Sequence, residues 1–173
     1  MVIKRFYPLF LSLILIALIA VVVGVLKKSG YHITCSATTS MPRGFYLVMP
    51  TNKIKRYDIV EFVPPAATLE FIVKHHWVPK SGLIIKYVFA VPGDDVCVRN
   101  NAVWINGQKI GTVYRFYASG KLLPQTEICG KLKENEYLLL STRKERSFDS
   151  RYFGIITSRN ILGKAIPFLV FDY

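Results

Sequence analysis

An uncharged run of 21 residues, positions 6–26, constrains this chain more than any other feature of its sequence. An α-helix rises about 1.5 Å per residue, so a run of this length crosses a hydrocarbon layer about 30 Å thick. The run is apolar all round, which disfavours the buried helix of a soluble domain. We therefore expect a single N-terminal transmembrane helix.

The residues next to this run indicate that it stays attached to the mature protein. Lys4 and Arg5 precede it, as in a signal peptide. The run is longer than the usual apolar region of about 7–15 residues, and Lys-Lys-Ser-Gly follows it instead of a small-residue cleavage site. We expect an uncleaved signal anchor over residues 1–28 and one folded domain over residues 29–173. Basic residues flank the run on both sides, so charge leaves its orientation open.

The folded domain is basic, with 19 lysines and arginines against 11 acidic side chains, a net charge of +8. This surplus favours contact with anionic lipid headgroups or with nucleic acid. The chain has no basic run long enough for a nucleic-acid arm. We expect a solvated basic surface beside the lipid bilayer and no nucleic-acid partner. The disfavoured alternative is a membrane-tethered nucleic-acid-binding module, suggested by the aromatic and basic residues at 113–117, and salt-sensitive DNA binding would support it.

Short runs of β-branched and aromatic residues follow a polar connection at 29–40, and they predict β-strands. An Asn-Gly pair at 106–107 predicts a hairpin between two of them. Residues 64–79 are the one stretch that reads as a short helix or an insertion. We expect a mainly β domain on the membrane helix. The predicted strands are 45–49, 59–63, 83–91, 95–99, 102–105, 108–110, 137–140 and 163–171.

The cysteines and histidines give no metal pattern, and we expect neither a metal nor a cofactor. The three cysteines form no C-x-x-C pair. His75 and His76 are adjacent, and adjacent side chains diverge on a strand or a helix. An extracytoplasmic domain would allow one disulfide, with Cys35 near the anchor as the expected free thiol. The residues alone do not fix the pairing.

Lys86 is the residue best placed to act as a base. A Ser-His-Asp triad gets little support, because one histidine lies beside the anchor and the other two share a surface segment. Lys86 lies within a strongly apolar strand at 83–91. Alternation would place it on one face with Ile84, Val88 and Ala90, where desolvation favours the neutral amine that a base requires. The alternative is a charge that protects an edge strand from aggregation.

Four segments, taken in order, resemble the type I signal peptidases, which are Ser/Lys membrane proteases. Ser-Met-Pro-Arg-Gly-Phe-Tyr at 40–46 resembles their nucleophile box, and residues 84–96 with a Pro-Gly-Asp turn resemble their general-base box. Asn-Gly-Gln-Lys-Ile fits the hairpin between boxes, and Ser-Phe-Asp-Ser-Arg-Tyr-Phe-Gly at 147–154 resembles their last box. The boxes at 40–46, 120–132 and 147–154 are most similar to the small TraF-type conjugative-transfer peptidases of that superfamily.

The resemblance implies roles for individual residues. Ser40 matches the nucleophile and Lys86 the general base. The Thr38 hydroxyl and the Ser40 backbone N–H match the groups that stabilise the oxyanion, and Ser147 matches a serine that orients the lysine. The other matches are a structural ion pair, Asp149 with Arg151, and a disulfide, Cys97 with Cys129.

One departure separates this chain from the general signal peptidases. Where they carry a Gly-Asp-Asn-Arg-like run, residues 141–144 read Ser-Thr-Arg-Lys. The TraF type also varies there, so this argues against a general enzyme and not against catalysis.

The expected function is that of a membrane-anchored serine endopeptidase that cleaves leader sequences or processes a pilin precursor for conjugative transfer or type IV secretion. An amine of the substrate could replace water and give a cyclic product. The expected partners are a membrane-bound preprotein or propilin, the lipid bilayer and type IV secretion components. The resemblance implies a bacterial inner-membrane protein with its N-terminus in the cytoplasm and its catalytic domain in the periplasm. The alternatives are a general type I signal peptidase and a non-catalytic structural component of the secretion apparatus.

Overall fold

The computed structural model describes residues 3–78, 82–117 and 119–171. The first helix, α1, spans Ile3–Lys28. Its part from Leu9 to Lys28 is long and apolar enough to cross a membrane, and none of it is buried against the rest of the molecule. The apolar side chains of this part therefore face outward, as those of a lipid-embedded helix do.

The described residues of the folded domain form eleven strands, in agreement with the predicted mainly β class, and all eight predicted strands are confirmed. They are β1 His32–Ser36, β2 Gly44–Met49, β3 Ile59–Phe62, β4 Ile84–Ala90, β5 Asp95–Arg99, β6 Ala102–Ile105, β7 Gln108–Thr112, β8 Ile128–Lys131, β9 Glu136–Leu140, β10 Ile156–Thr157 and β11 Ile161–Val170. Two short helices accompany them, α2 over Ala66–Lys74 and α3 over Ser150–Phe153.

The strands form two antiparallel sheets. The larger has the order β1-β2-β11-β3-β4-β9-β10, and the smaller has the order β7-β6-β5-β8. Long-range neighbours such as β2 and β11 bring the two ends of the folded domain together in one sheet. The predicted Asn-Gly hairpin is the connection between β6 and β7.

The connection after the membrane helix is shorter than the sequence predicted. Residues 29–40 were expected to be a polar connection, but β1 occupies five of them and pairs with β2 along its full length. Ile33 and Cys35 of β1 are exposed. An edge strand is fixed by backbone hydrogen bonds to one neighbour and needs no strongly apolar sequence, which is why its composition did not reveal it.

Strand β4 is buried on both faces, which determines the surroundings of Lys86. Ala90 belongs to the apolar core under the smaller sheet. Val88 packs in a second cluster with residues of β3 and β9, and Ile85 packs in a third that includes Met41. Lys86 therefore lies within a strand with apolar packing on either side, as its flanking residues predicted.

A covalent link joins the edge strand β8 of the smaller sheet to its neighbour β5. Cys97 of β5 lies opposite Cys129 of β8, with Cα atoms 4.0 Å apart, and the two are joined by a disulfide. Cys35 is exposed and has a free thiol.

Candidate active site

Ser40 lies in the tight turn between β1 and β2, and buried neighbours fix that turn. Met41 is fully buried among apolar side chains of the larger sheet. The Tyr46 hydroxyl donates a hydrogen bond of 2.7 Å to the Pro42 carbonyl. At Gly44 a side chain would collide with the backbone of Leu169, so the close approach of β11 requires glycine. These contacts hold Ser40 at a partly exposed position above the core.

Lys86 reaches this serine from β4, 46 residues further along the chain. Its Nζ lies 2.6 Å from Ser40 Oγ and 3.2 Å from Ser147 Oγ. Only 3% of Lys86 is exposed. Burial lowers the pKa of Lys86 from 10.5 to about 8, while the charge of Asp149 acts to raise it and that of Arg151 to lower it. A lysine with this pKa supplies a neutral amine at mildly alkaline pH.

Thr38 places a second hydroxyl beside the nucleophile. Its Oγ1 lies 3.1 Å from Ser40 Oγ, and the side chain is exposed. A hydroxyl here is within reach of a substrate carbonyl that bonds to Ser40, which is the geometry that oxyanion stabilisation requires.

Residues 141–149 connect β9 to α3, and side chains near both ends of this segment hydrogen-bond to Ser40 or Lys86. Ser141 Oγ donates a hydrogen bond to the Ser40 carbonyl, and the Ser141 backbone N–H donates to Asp149 Oδ2 at 3.1 Å. Ser147, only 2% exposed, holds the Lys86 amine. Ser141 was not among the predicted site residues. Ser141 comes to lie beside the nucleophile because distant strands pair. The polar residues next to Ser141 in sequence did not indicate this contact.

Asp149 and Arg151 form the buried ion pair that the sequence comparison implied. The Arg151 guanidinium donates to both carboxylate oxygens, at 2.6 and 2.8 Å, and the two side chains are 4% and 0% exposed. Asp149 also caps α3 by accepting from the Arg151 backbone N–H. Arg151 donates to the Glu145 carbonyl at 2.5 Å. The pair thus fixes the segment that carries Ser141 and Ser147.

A pocket of about 170 Å³ opens beside Ser40 and Lys86. The segment at 64–79, whose role the sequence left open, forms one wall through Ile72, Trp77 and Val78; Pro79 lies outside the described residues. Trp77 packs against Tyr117, with ring centroids 4.6 Å apart, and against Phe148. Lys144, Arg146 and Ser147 line another part of the pocket, its polar wall. The site is thus a cleft next to a nucleophile whose lining combines aromatic and polar side chains.

Metal chemistry has no ligand set in the part of the chain that the structure describes. No group of three or more His, Cys, Asp or Glu side chains is placed there to hold a metal ion.

Comparison with known proteins gives a family model and several relatives. The model of signal peptidase, peptidase S26, matches residues 4–170. A probable conjugal transfer protein TraF from Sinorhizobium fredii is 27% identical over 177 residues, which covers 97% of this chain and 93% of that protein. A probable signal peptidase I-2 from Synechocystis is 29% identical over 85 residues, which covers 47% of this chain and 35% of that protein.

A crystal structure of a signal peptidase I from Enterococcus faecalis aligns with a TM-score of 0.39 and 22% identity, covering 66% of this chain and 98% of that one. The relatives differ in how much of their length this chain spans. It covers 35% to 64% of the curated signal peptidases I that it matches, and 81% to 93% of the TraF proteins.

Proposed function

Because this chain belongs to the signal peptidase S26 family of serine-type peptidases, we propose that it is a membrane-anchored endopeptidase with a Ser40–Lys86 catalytic dyad. The observation that carries the proposal is the 2.6 Å separation of Ser40 Oγ and Lys86 Nζ, with the lysine buried. A hydroxyl becomes a competent nucleophile when a neighbouring base takes its proton. The lowered pKa of Lys86 makes that base available near neutral pH.

The reaction proceeds in two halves. Ser40 Oγ attacks the scissile carbonyl while Lys86 Nζ takes the hydroxyl proton. The Thr38 hydroxyl and the Ser40 backbone N–H stabilise the tetrahedral oxyanion, and one such donor contributes about 3 kcal/mol to transition-state stabilisation. The protonated Lys86 then gives its proton to the leaving amine, and an acyl-enzyme remains. Water, deprotonated by Lys86, hydrolyses this ester and frees Ser40.

The substrate that we propose is a membrane-bound preprotein, and in particular a pilin precursor for conjugative transfer or type IV secretion. Support comes from the relatives named conjugal or plasmid transfer protein TraF, which this chain matches over 78% to 97% of its own length. The matching signal peptidases I cover between 46% and 66% of this chain. Where the cut bond lies near the C-terminus of the precursor, the acyl-enzyme carries the pilin itself, and the pilin's N-terminal amine can replace water and release a cyclic pilin.

Two other functions have less support. A general type I signal peptidase would share the family and the dyad, but its relatives match only part of the chain. A non-catalytic scaffold of the secretion apparatus would not require a buried lysine against a serine hydroxyl, because burying the amine costs stability.

We place residues 1–28 as a cytoplasmic tip and membrane anchor of the bacterial inner membrane, and residues 29–173 as a periplasmic catalytic domain. The apolar helix supports the anchor. The Cys97–Cys129 disulfide supports the periplasmic side, since disulfides persist in oxidising compartments and are rare in the cytosol.

The test is mass spectrometry of a candidate propilin co-expressed with the full chain, beside Ser40→Ala. We expect the leader peptide to be lost with the wild-type chain and retained with Ser40→Ala. A product that has lost a C-terminal peptide and one further water, again only with intact Ser40, would show cyclisation. A matched control, Ser158→Ala, changes a serine outside the pocket and should cleave normally. Equal cleavage by wild type and Ser40→Ala would contradict the dyad, whereas no cleavage by either would reject the pilin substrate and call for a peptide-library screen.

A further inference from the structure

The cleft beside Ser40 is chemically asymmetric, and its polar wall is basic. Lys144 and Arg146 line it, and none of its described lining residues is acidic. Glu145, between them in sequence, lines a different cavity together with Arg151. Glu145 interacts with the Tyr114 side chain, whose ring Arg146 covers, but its carboxylate does not line the cleft. The wall therefore presents two cations to the cleft and no carboxylate.

Resting on the function proposed above, we propose that Lys144 and Arg146 are specificity-determining residues that bind a carboxylate of the substrate close to the scissile bond. A cleft lined by one sign of charge concentrates ligands of the opposite sign. The substrate class that fits is a polypeptide with an acidic side chain near its cleavage site.

Lys144 lies next to the reacting atoms. Its Nζ donates a 3.1 Å hydrogen bond to Thr39 Oγ1, and Thr39 directly precedes the nucleophile. Both side chains are exposed. The acceptor is a neutral hydroxyl, so the ammonium charge stays uncompensated and can pair with a carboxylate from the substrate.

Arg146 is held in place without losing its charge. Its guanidinium lies over the Tyr114 ring, 4.4 Å from the centroid. A cation–π contact orients the group but leaves its N–H donors available for a carboxylate. Arg151 differs, because its guanidinium is buried against Asp149 and backbone carbonyls. Neither Lys144 nor Arg146 has such a buried structural partner among the described residues.

The lining of the cleft also includes Ile72, Trp77 and Tyr117, which form an apolar and aromatic surface. A substrate in the cleft can therefore place apolar side chains on this surface and a carboxylate at Lys144 and Arg146.

The test uses the full chain in detergent and peptides containing a small-residue cleavage site. Glu is placed singly at each position on either side of the scissile bond, and each peptide has a Gln twin. At one or two positions we expect kcat/KM for the Glu peptide to exceed that of its twin by roughly 3- to 10-fold at low ionic strength, and high salt to reduce the ratio. Lys144→Gln and Arg146→Gln should each lower this ratio, and Lys144→Glu should reverse it in favour of a Lys peptide.

Lys133→Gln is the matched control, because Lys133 is an exposed lysine that does not line the cleft. It should keep both the ratio and the basal activity. Ser40-dependent cleavage with equal rates for Glu and Gln peptides at every position would overturn this inference and leave the proposed peptidase intact. Ser40-independent cleavage, or no cleavage of any peptide, would overturn the peptidase and this inference with it.

Discussion

Ser147 Oγ lies 3.2 Å from Lys86 Nζ, and the same amine lies 2.6 Å from Ser40 Oγ. Ser147 and Lys86 are 61 positions apart, and both are almost completely buried. A single hydroxyl can thus hold the lysine next to Ser40.

Removing that hydroxyl should weaken catalysis more than binding. For Ser147→Ala we expect kcat to fall by about 10- to 100-fold with KM nearly unchanged, because the amine is no longer positioned. Steady-state kinetics on one cleaved peptide checks this. Ser147→Thr keeps the hydroxyl and should recover part of the rate; an unchanged kcat in Ser147→Ala would show that Lys86 needs no such support.

The lysine should also set the pH dependence of the reaction. Burial lowers the pKa of Lys86 to about 8, so the neutral amine increases about tenfold per pH unit below that value. We expect kcat/KM to rise through neutral pH and to level off above about pH 8. Lys133→Gln should give the same profile. A rate that is flat or falling over this interval would exclude Lys86 as the base.

The burial of Lys86 should also lower the free energy of unfolding of the protein. Lowering the pKa from 10.5 to about 8 corresponds to roughly 3 kcal/mol of destabilisation at pH 7, an upper limit since the hydrogen bonds to Ser40 and Ser147 offset part of it. The cost is complete below the folded-state pKa and disappears as the pH rises towards 10.5, because the unfolded chain then also loses its proton. Lys86→Met should therefore raise Tm at pH 7 and lose this advantage near pH 10.5. A lower Tm at pH 7 would contradict this reading.

Breaking the buried ion pair between Asp149 and Arg151 should destabilise the protein, in contrast to the replacement of Lys86. Asp149→Leu leaves Arg151 buried without its partner and should cost about 3–5 kcal/mol in unfolding free energy, measured by chemical denaturation. The double change Asp149→Leu with Arg151→Met should cost less than the single one, since no uncompensated charge remains. Lys164→Met removes a half-exposed pair with Asp58 and should cost about 1 kcal/mol or less. Equal costs for all three would show that burial does not distinguish the pairs.

The cysteines can be counted directly. Alkylation of the folded, unreduced chain should add one label, at Cys35, and alkylation after reduction and unfolding should add three. Peptide mass spectrometry assigns the positions. Three labels without reduction would show that Cys97 and Cys129 are thiols in the protein.

Sequence reasoning identified the elements whose signal is local. Runs such as 95–99 and 102–105 are rich in β-branched residues, and the Asn-Gly pair marks its hairpin. The strands β1, β8 and β10 were missed, because β1 is an exposed edge strand, β8 contains Cys129 and Gly130 in place of a β-branched run, and β10 has only two residues.

The residues of the site also divide into those that the sequence indicated and those that it did not. Lys86 was predicted from its apolar flanks, and Ser40 from a family resemblance. Ser141, Lys144 and the aromatic side chains Trp77 and Tyr117 were not predicted as site residues, because they reach the site only where segments distant in sequence meet. His32 is a further case: its Nε2 lies 2.5 Å from a carboxylate oxygen of the fully buried Glu61, a hydrogen-bonding contact that neither residue's neighbours in sequence suggest.

The short passage from α1 into β1 bears on which bonds can be cut. Ser29 and Tyr31 donate backbone hydrogen bonds to the last turn of α1, and the sheet starts at the next residue. Because the connection between α1 and β1 is so short, Ser40 is held at a nearly constant distance from the bilayer. Cleavage would then depend on the distance of the scissile bond from the membrane surface as well as on the local sequence. Moving an otherwise good cleavage site a few residues along a membrane-bound substrate should therefore prevent its cleavage.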